Sequence, residues 1–446
     1  MKILKFGGTS LGNSQRIKSV ARIVRRNENC IVVCSAMAGV TNALEDTALA
    51  WKINNMELAR TRLDIIKNGF EQTCYELFET HDKATTIIGS LQFHFDKANV
   101  ALEQPYSEDK RMVLLTLGEI VTSEIFVAYL SYLEVYSRLV NILDVIRLND
   151  QDEPVPEDIL RRARMKGNIA EQGIYITQGF ICRDHTGKIA NLKRGGSDYT
   201  ATLLGAALGA AIIEIWTDID GLHNNDPRYV SNTFPVRELS FAEAAELAYF
   251  GAKILHPACV WPARRYNIPI LLKNTINPEA RGTIIQSGLH TGGIKAVAAK
   301  DNITIVRIIS GRMFNAYGFL KKVFEVFETF KTPVDVVTTS EVSVSITIEN
   351  SNDVVPLVKE LEKLGRVNIQ EQQCIICIVG DVLHQGYVAE IMQRTNKFDI
   401  QMISLGASSN NITLVMPQKQ KAEALNALNT VFSNQQNLQS WQKTES

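Results

Sequence analysis

Met1-Lys-Ile-Leu-Lys-Phe-Gly-Gly-Thr-Ser10 opens the chain, and the fold is read outward from it. Ile3, Leu4 and Phe6 form the short apolar run of a buried strand. The run stops at Gly7 and Gly8, and Thr9 and Ser10 follow. A helical apolar repeat (Ile17, Val20, Ala21, Val24) then begins near Ser14. Strand, glycine turn and helix in that order offer bare backbone N–H groups to a phosphate. Gly7 and Gly8 carry no side chain to block approach and are free to take positive φ. Lys5, at the strand's end, brings a cation to the same place. The stretch is neither the Walker pattern nor Gly-x-Gly-x-x-Gly. On these ten residues alone an ordinary strand-to-helix corner is the favoured reading.

The remaining chain changes those odds. Its 446 residues exceed one hydrophobic core, so two or three domains are expected. Apolar residues make up 45% and the net charge is -1, a balance with no pull toward nucleic acid or an anionic membrane. The seven cysteines are odd in number and mostly sit in apolar runs, as buried free thiols do in a reducing compartment. Cys374-Ile-Ile-Cys377 has no second pair, and no His/Cys/Asp cluster has zinc spacing, so no protein metal site is expected. The N-terminus lacks the pattern of a signal peptide, and the longest apolar run, Leu203–Ile213, is too short for a bilayer. The expectation is a cytoplasmic protein with no nucleic-acid or membrane partner.

Cys30–Ser35 reads as a second buried strand, and Ala36-Met-Ala-Gly-Val-Thr-Asn42 repeats the opening design of small residues, a glycine and a hydroxyl before a helix. Residues 44–104 read as long helices. Leu114–Leu117 is a short apolar run before Gly118 and Glu119. Asp184-His-Thr-Gly187 is a hairpin signal. The densest motif is Asn191-Leu-Lys-Arg-Gly-Gly-Ser-Asp-Tyr-Thr200, and the strand Ile212–Trp216 ends in Thr217-Asp-Ile-Asp-Gly221. Strands alternating with helices imply a mainly parallel sheet covered on both faces, a three-layer αβα sandwich. Near Asn274–Gly293 the texture changes. Beyond it the order βαββαβ, the ferredoxin-like order, runs from Ile303 to Ile369 and starts again at Cys374. Its members include strands at Val334–Val337, Arg366–Ile369 and Phe398–Ile403. The second copy lacks its last strand, which Ile294–Ala299 can supply. The expected domains are residues 1–292, 302–371, and 293–301 plus 372–446.

Arg194 offers a planar fork for a carboxylate or phosphate, and Asp198 can hold Lys5 or Arg194. Ser197 and Asp198 taken singly are ordinary helix caps. Asp220 is as readily a turn residue, Arg228 and Lys253 are as readily solvated cations, and His256 before a proline is more often structural. The Gly-rich turns and the cations Lys5, Arg194, Arg228 and Lys253 suit a nucleotide and an acidic second substrate. No general base accompanies them. A carboxylate acceptor is already an ionised nucleophile, so positioning and charge neutralisation would do most of the catalysis.

These stretches together resemble the aspartate kinases of the amino acid kinase superfamily. The resemblance is carried by Lys5–Ser10, Ser35–Asn42, Leu117–Glu119, Arg194–Asp198, Trp216–Gly221, Asp226–Arg228, Gly251–Pro257 and Asn274–Pro278, in the family's order. The C-terminal repeat resembles that family's tandem ACT domains. The resemblance implies ATP-dependent phosphorylation of the side-chain carboxylate of L-aspartate, with Mg²⁺ carried by the nucleotide. It gives catalytic roles to Lys5 and Asp198, the second orienting the first. Lys5, Gly7, Gly8, Thr217, Asp218, His223, Arg228, Lys253 and Ile254 would meet the nucleotide. Ser35, Thr41, Glu119, Arg194, Gly195, Gly196 and Ser197 would hold aspartate, with Glu119 on its amino group. Two positions depart from the family: Lys193 stands where glycine is common, and His223 where an aromatic often sits.

Within the repeat, Met313, Ala316, Gly318, Phe319, Leu320, Val334, Asp335, Thr339, Ser340 and Glu341 resemble the effector-binding stretches of the lysine-inhibited branch. The resemblance implies L-lysine as feedback inhibitor and a homodimer through the ACT domains, or a dimer of dimers. Phe319 and Leu320 also suit simple core packing. Two alternatives stay open. One is the kinase portion of a bifunctional aspartokinase/homoserine dehydrogenase, although no later dinucleotide fingerprint follows. The other is a glutamate or acetylglutamate kinase, against which the Ser35–Asn42 stretch and the repeat argue. A non-catalytic amino-acid sensor is disfavoured by the intact Lys5, Arg194 and Asp198.

Overall fold

The computed structural model describes residues 1–446 except 168, 170–171, 193–194, 253–254, 289–291, 314–316, 350–353, 384–385 and 443–446, and omits the side chains of 433–442. By contacts the chain divides into two compact units. The first is Met1–Leu222 with Arg237–Phe241 and Ile254–Leu289; the second is His223–Val236 with Ala242–Lys253 and His290–Ser446. By contacts, 223–236 and 242–253 group with the C-terminal residues. Buried apolar and polar anchors, not chain order, decide this.

The first unit is built on β1 (Lys2–Phe6), β2 (Asn29–Cys34), β3 (Arg138–Val140), β4 (Gly173–Gln178), the hairpin β5 (Ile181–Arg183) and β6 (Ile189–Asn191), β7 (Ile212–Thr217), β8 (Glu238–Ser240), β9 (Ile270–Asn274) and β10 (Thr283–Gln286). Eight of these form one sheet, ordered β3-β4-β2-β1-β7-β9-β10-β8. Every pair is parallel except β9 with β10. β1 lies at its centre, with Ile3, Leu4 and Phe6 all 0% exposed. Burying each contributes about 1.5–3 kcal/mol. Alternation sends Leu4 and Phe6 to a core shared with helices Ser14–Arg25, Val40–Lys52, Met56–Leu77, His81–Leu102 and Leu117–Tyr132. Ile3 faces the other side. There Gly205 of the helix Gly196–Leu208 lies so close that a Cβ would fall 2.6 Å from Ile213 Cδ1. Helices therefore cover both faces of a mainly parallel sheet.

Leu114–Leu117 is helical, not a separate apolar run. Glu108–Leu115 and Leu117–Tyr132 follow one another, and the joint stretch is long and apolar enough to cross a membrane. Its most apolar window is 72% buried inside the protein, which explains the apolarity by core packing.

The second unit contains β11 (Ile294–Ile309), β12 (Val337–Thr339), β13 (Ser343–Glu349), β14 (Arg366–Gly380), β15 (Met402–Leu405) and β16 (Asn411–Pro417). They form one sheet, ordered β12-β13-β11-β14-β16-β15. The expected separate strands Ile294–Ala299 and Ile303–Ile309 are one strand, and so are Arg366–Ile369 and Cys374–Val379. At each junction a left-handed residue (Asn302, φ 57°; Gln372, φ 56°) passes through without ending the strand, and the β11–β14 register shifts beside Asn302. Ile294 pairs with Gly380 and Ala299 with Ile376, while Ile303–Ile309 pairs with the other half of β14. Two ferredoxin-like halves thus share two long strands, each half with its own apolar core. Val334–Val336 is not regular strand: Asp335 and Val336 N–H both bond Thr347, one to its carbonyl at 2.9 Å and one to its hydroxyl at 2.8 Å. The strand expected at Phe398–Ile403 starts only at Met402.

Candidate active site

β2, β1 and β7 run parallel, so their carboxyl ends share one edge, where open α/β sheets take ligands. Lys5 Nζ lies 2.6 Å from Asp198 Oδ1, with the side chains only 12% and 16% exposed. Asp198 thus meets Lys5, one of the two partners open to it; the other, Arg194, lies outside the described residues. Asp198 stands in the first turn of the helix Gly196–Leu208. Gly195 caps that helix in the left-handed region at φ 75°, and a Cβ there would fall 2.4 Å from Cys259 Sγ. Glycine is required on both counts. Ser197 Oγ sits 2.8 Å from Ser35 Oγ, which joins the end of β2 to the same helix.

Gly7 and Gly8 do not use their freedom to take positive φ. Gly8 is right-handed helical at φ -58°, and neither glycine is among the left-handed residues. Space is the reason for glycine at 8: a Cβ would lie 2.9 Å from the Ala36 carbonyl oxygen. Gly7 N–H donates to Trp216 O at 3.3 Å. The N–H groups of Gly8 and Thr9, at the mouth of the 3₁₀ turn Thr9–Leu11, have no backbone acceptor among the described residues. They lie three and four residues beyond Lys5 and form the anion-facing part of the turn.

Ala36 also touches the acid. Gly118 packs so tightly that a Cβ would lie 2.8 Å from Ala36 Cβ, which brings Glu119 in beside it. Glu119 is 3% exposed. Burial pushes its carboxyl up to about 8, partly opposed by its own backbone N–H and that of Ala36. Its Oε2 has no hydrogen-bond partner among the described residues. A buried carboxylate oxygen without a donor is costly until a cation or donor arrives. Thr41 is partly exposed in the first turn of Val40–Lys52, after left-handed Gly39.

Thr217 closes β7, and its hydroxyl lies 3.1 Å from Asp218 Oδ1, with Asp218 exposed. Sequence reasoning missed the residues that tie these turns together. Ser10 Oγ and Thr275 Oγ1 are 2.7 Å apart, Thr275 N–H donates to Thr217 O at 2.8 Å, and Asn274 Nδ2 donates to Asp220. Their signal was Asn274-Thr275 directly after the apolar strand before them. Gly179 was also missed as a site residue; a Cβ there would fall 2.3 Å from Ser197 Cβ.

Other expected residues lie in the second unit. Arg228 forks onto Asp226, Nε to Oδ1 at 2.9 Å and Nη2 to Oδ2 at 2.6 Å, and its side chain stays 65% exposed. His223 Nδ1 is 2.9 Å from Thr233 Oγ1. His256, in the first unit, has the structural role expected of it: Nδ1 accepts from Ala258 N–H at the start of Pro257–Arg265. Arg194, Lys193, Lys253, Ile254 and Ala316 lie outside the described residues.

Of the effector set, Met313 ends a 3₁₀ turn, Gly318 is a left-handed cap at φ 77°, and Phe319 is buried in the first half's core. Leu320 is 39% exposed, Val334 is partly buried, and Thr339, Ser340 and Glu341 are exposed. The Asp335 side chain is only 4% exposed. It accepts from Lys300 at 2.9 Å and from Tyr249 at 2.8 Å.

All seven cysteines are free and buried. Burial pushes Cys30, Cys74 and Cys374 up to about 12 and raises Cys34, Cys259 and Cys377 as well, so none of these is a thiolate nucleophile. Among the described residues no three His, Cys, Asp or Glu side chains gather as a metal site. The arrangement offers instead a supported lysine, open backbone donors and a buried acid.

Comparison with known proteins gives this arrangement a family. The amino acid kinase family model matches residues 1–274. Aspartokinase 3, chloroplastic, of Arabidopsis thaliana is 34% identical over 96% of this chain and 81% of its own. The crystal structure of E. coli aspartokinase III in complex with aspartate and ADP (R-state) superposes with a TM-score of 0.79 at 31% identity, over 97% of this chain and 99% of that one. The same E. coli protein in complex with lysine and aspartate (T-state) gives 0.79 at 32%, over the same shares. With its central strand, glycine turn and Lys5–Asp198 pair in place, the chain belongs to the aspartokinases of the amino acid kinase family.

Proposed function

We propose that this protein transfers the γ-phosphoryl group of ATP to the side-chain carboxylate of L-aspartate, giving 4-phospho-L-aspartate for amino-acid biosynthesis. The observation that carries the reading is Lys5 held 2.6 Å from Asp198, beside the open N–H groups of Gly8 and Thr9. Lys5 neutralises charge on the transferring phosphoryl group, and Asp198 holds the ammonium in place. Glu119 receives the amino group of aspartate at its unpartnered oxygen. Ser35 and Ser197, joined at 2.8 Å, line the same edge for the substrate carboxylates. The acceptor is an ionised carboxylate, so no proton has to be removed and no general base is needed. Mg²⁺ arrives on the nucleotide phosphates. Thr217 and Asp218, at the end of β7, face the nucleotide; roles for Arg228, Lys253 and Ile254 rest on the resemblance alone. The catalytic domain is the unit built on β1, followed by two ACT domains that pair copies of the chain. The enzyme works in the cytoplasm, where buried free thiols persist.

The regulatory reading is feedback inhibition by L-lysine. It draws support from the lysine complex of the E. coli relative and from the acids near Val334–Glu341. Asp335 already pairs with Lys300, so the exposed Glu341 is the acid open to an incoming ammonium. A hydroxamate assay with aspartate and MgATP tests both parts. Acyl phosphate is expected with aspartate and not with glutamate or N-acetylglutamate, and added lysine is expected to suppress it. Glu341→Gln should require more lysine for the same suppression. Acyl phosphate from glutamate in preference to aspartate, or a rate that lysine leaves unchanged, would refute the corresponding part.

Gly8→Ala tests the phosphate turn. The added methyl must displace the turn from Ala36 O, so kcat/KM for MgATP is expected to fall roughly tenfold or more. Steady-state kinetics with a circular dichroism check of folding would read it. An unchanged kcat/KM would remove the turn from the nucleotide site.

A further inference from the structure

The helix that carries Glu119 is fastened to the sheet edge from two sides, by buried polar contacts that the reaction itself does not use. Thr122 and Ser123 follow Glu119 by three and four residues, on its face of the helix Leu117–Tyr132, and are 1% and 0% exposed. The Thr122 hydroxyl donates to Gly118 O at 2.7 Å, which leaves its lone pairs to accept Met37 N–H at 3.1 Å. Ser123 does the same one position on. It donates to Ile120 O at 2.8 Å and accepts from Gln178 Nε2 at 2.7 Å. Gln178 ends β4, is 2% exposed, and takes Ile142 N–H on its Oε1 at 3.0 Å. Each hydroxyl is thus used both as donor and as acceptor.

Ala36 is where these contacts meet the site. Its N–H faces the Glu119 carboxyl. The next N–H, that of Met37, is the one Thr122 takes. Gly118 has no room for a Cβ, which would lie 2.8 Å from Ala36 Cβ, and Gly8 has none beside Ala36 O at 2.9 Å. The acid and the glycine turn therefore pack against the same residue. Two successive N–H groups of the loop after β2 hold the helix one turn apart. Any slip of the helix along that loop would strand the buried Met37 N–H without a partner. The register of this contact sets where the unpartnered Glu119 Oε2 is presented.

We propose that Thr122 and Gln178 are positioning residues for Glu119, so that the fastenings at the ends of β2 and β4 set affinity for the ammonium group of the amino-acid substrate. This rests on the reading that Glu119 receives that ammonium, which stands on its burial and on an oxygen left without a donor among the described residues. Neither residue touches substrate; both act through the helix. Without them the carboxylate is no longer held in one place before the ammonium arrives, so binding has to supply the ordering. Nucleotide binding and phosphoryl transfer are spared.

The test uses the full-length protein and steady-state kinetics in both substrates, with circular dichroism as the check of folding. Thr122→Val keeps the shape and removes the hydroxyl. It is expected to raise KM for aspartate roughly tenfold, the cost of a misplaced charge-assisted contact, with kcat at saturating aspartate and KM for MgATP unchanged. Thr122→Ser returns the hydroxyl and should restore the wild-type KM. Gln178→Met removes the second fastening and should move KM for aspartate in the same direction; it carries the test if Thr122→Val does not fold. Glu119→Gln separates the two levels of the argument. If Glu119→Gln leaves KM for aspartate unchanged, the ammonium reading of Glu119 fails. If Glu119→Gln raises it while Thr122→Val and Gln178→Met do not, the positioning proposal alone is overturned. In Thr122→Val/Glu119→Gln, KM should be no higher than in Glu119→Gln. An additive further rise, no rescue by Thr122→Ser, or equal losses in kcat and both KM values would assign the fastenings to general stability and overturn the proposal.

Discussion

Lys5→Met is expected to lower kcat for aspartyl phosphate formation by roughly 10³, with KM for aspartate little changed. The side chain is 12% exposed and its ammonium is locked to Asp198 at 2.6 Å, so it is already organised before substrate arrives. A preorganised cation in a site shielded from water is worth far more to a developing charge than one in solution. Methionine keeps the length and removes the charge. It also leaves Asp198 as a poorly solvated acid without its cation, which destabilises the fold. Lys5→Met/Asp198→Asn relieves that cost without restoring the cation. The double variant should therefore regain thermal stability while its kcat stays near that of Lys5→Met. A folded variant turning over within tenfold of wild type would remove Lys5 from the transition state.

Glu119→Gln carries the second large effect. At 3% exposure, with an unpartnered Oε2, the carboxyl is pushed up to about 8 by burial. The incoming ammonium of aspartate supplies the missing partner and favours the ionised form. The amide cannot offer that charge, so KM for aspartate should rise about 100-fold, the loss of a buried charge pair. The pH dependence follows with a definite sign. The folded pKa lies above the ordinary carboxyl value, so the native state holds more protons than the unfolded state between about 4.5 and 8. Stability from this group is complete below about 4.5 and is lost as pH rises toward 8, by up to about 1.4 kcal/mol per pH unit. Glu119→Gln should remove that slope from the ligand-free enzyme. In the wild type, kcat/KM for aspartate should climb as pH rises toward 8, with a proton released on binding. Thermal melts across pH and calorimetry in buffers of different ionisation enthalpy read these. A wild-type kcat/KM that is flat from pH 6 to 8 would contradict the assignment.

Both effects fall on residues that are legible in the sequence, and the reason is chemical. Lys5 follows an apolar run and precedes two glycines. Glu119 follows a glycine at the start of a helix. Such neighbours restrict what a side chain can be doing. The partners were less legible. Asp198 was open to Lys5 or Arg194, and only the approach of the Gly196–Leu208 helix to the end of β1 shows that it meets Lys5. Gly8 was marked as a turn residue for its conformational freedom. The tertiary cause is the Ala36 carbonyl, which local reasoning cannot see. Ser10 and Thr275 meet at 2.7 Å across 265 positions, and no local pattern pairs them.

Alternation and composition in the chain by themselves determined a mainly parallel α/β sheet, the central place of Met1–Ser10, and a repeated ferredoxin-like order beyond residue 293. These depend on periodicity and turn chemistry, which are local. The tertiary structure alone decided that Ile294–Ile309 and Arg366–Gly380 are single strands shared by both halves, because left-handed Asn302 and Gln372 pass through the sheet where turn residues would otherwise end it. It alone decided that the Arg228 loop fastens to the last helix, through amides whose partners lie about 200 residues away. It also left Glu119 Oε2 without a partner among the described residues, since burial is a property of the packed core and of no residue's immediate neighbours.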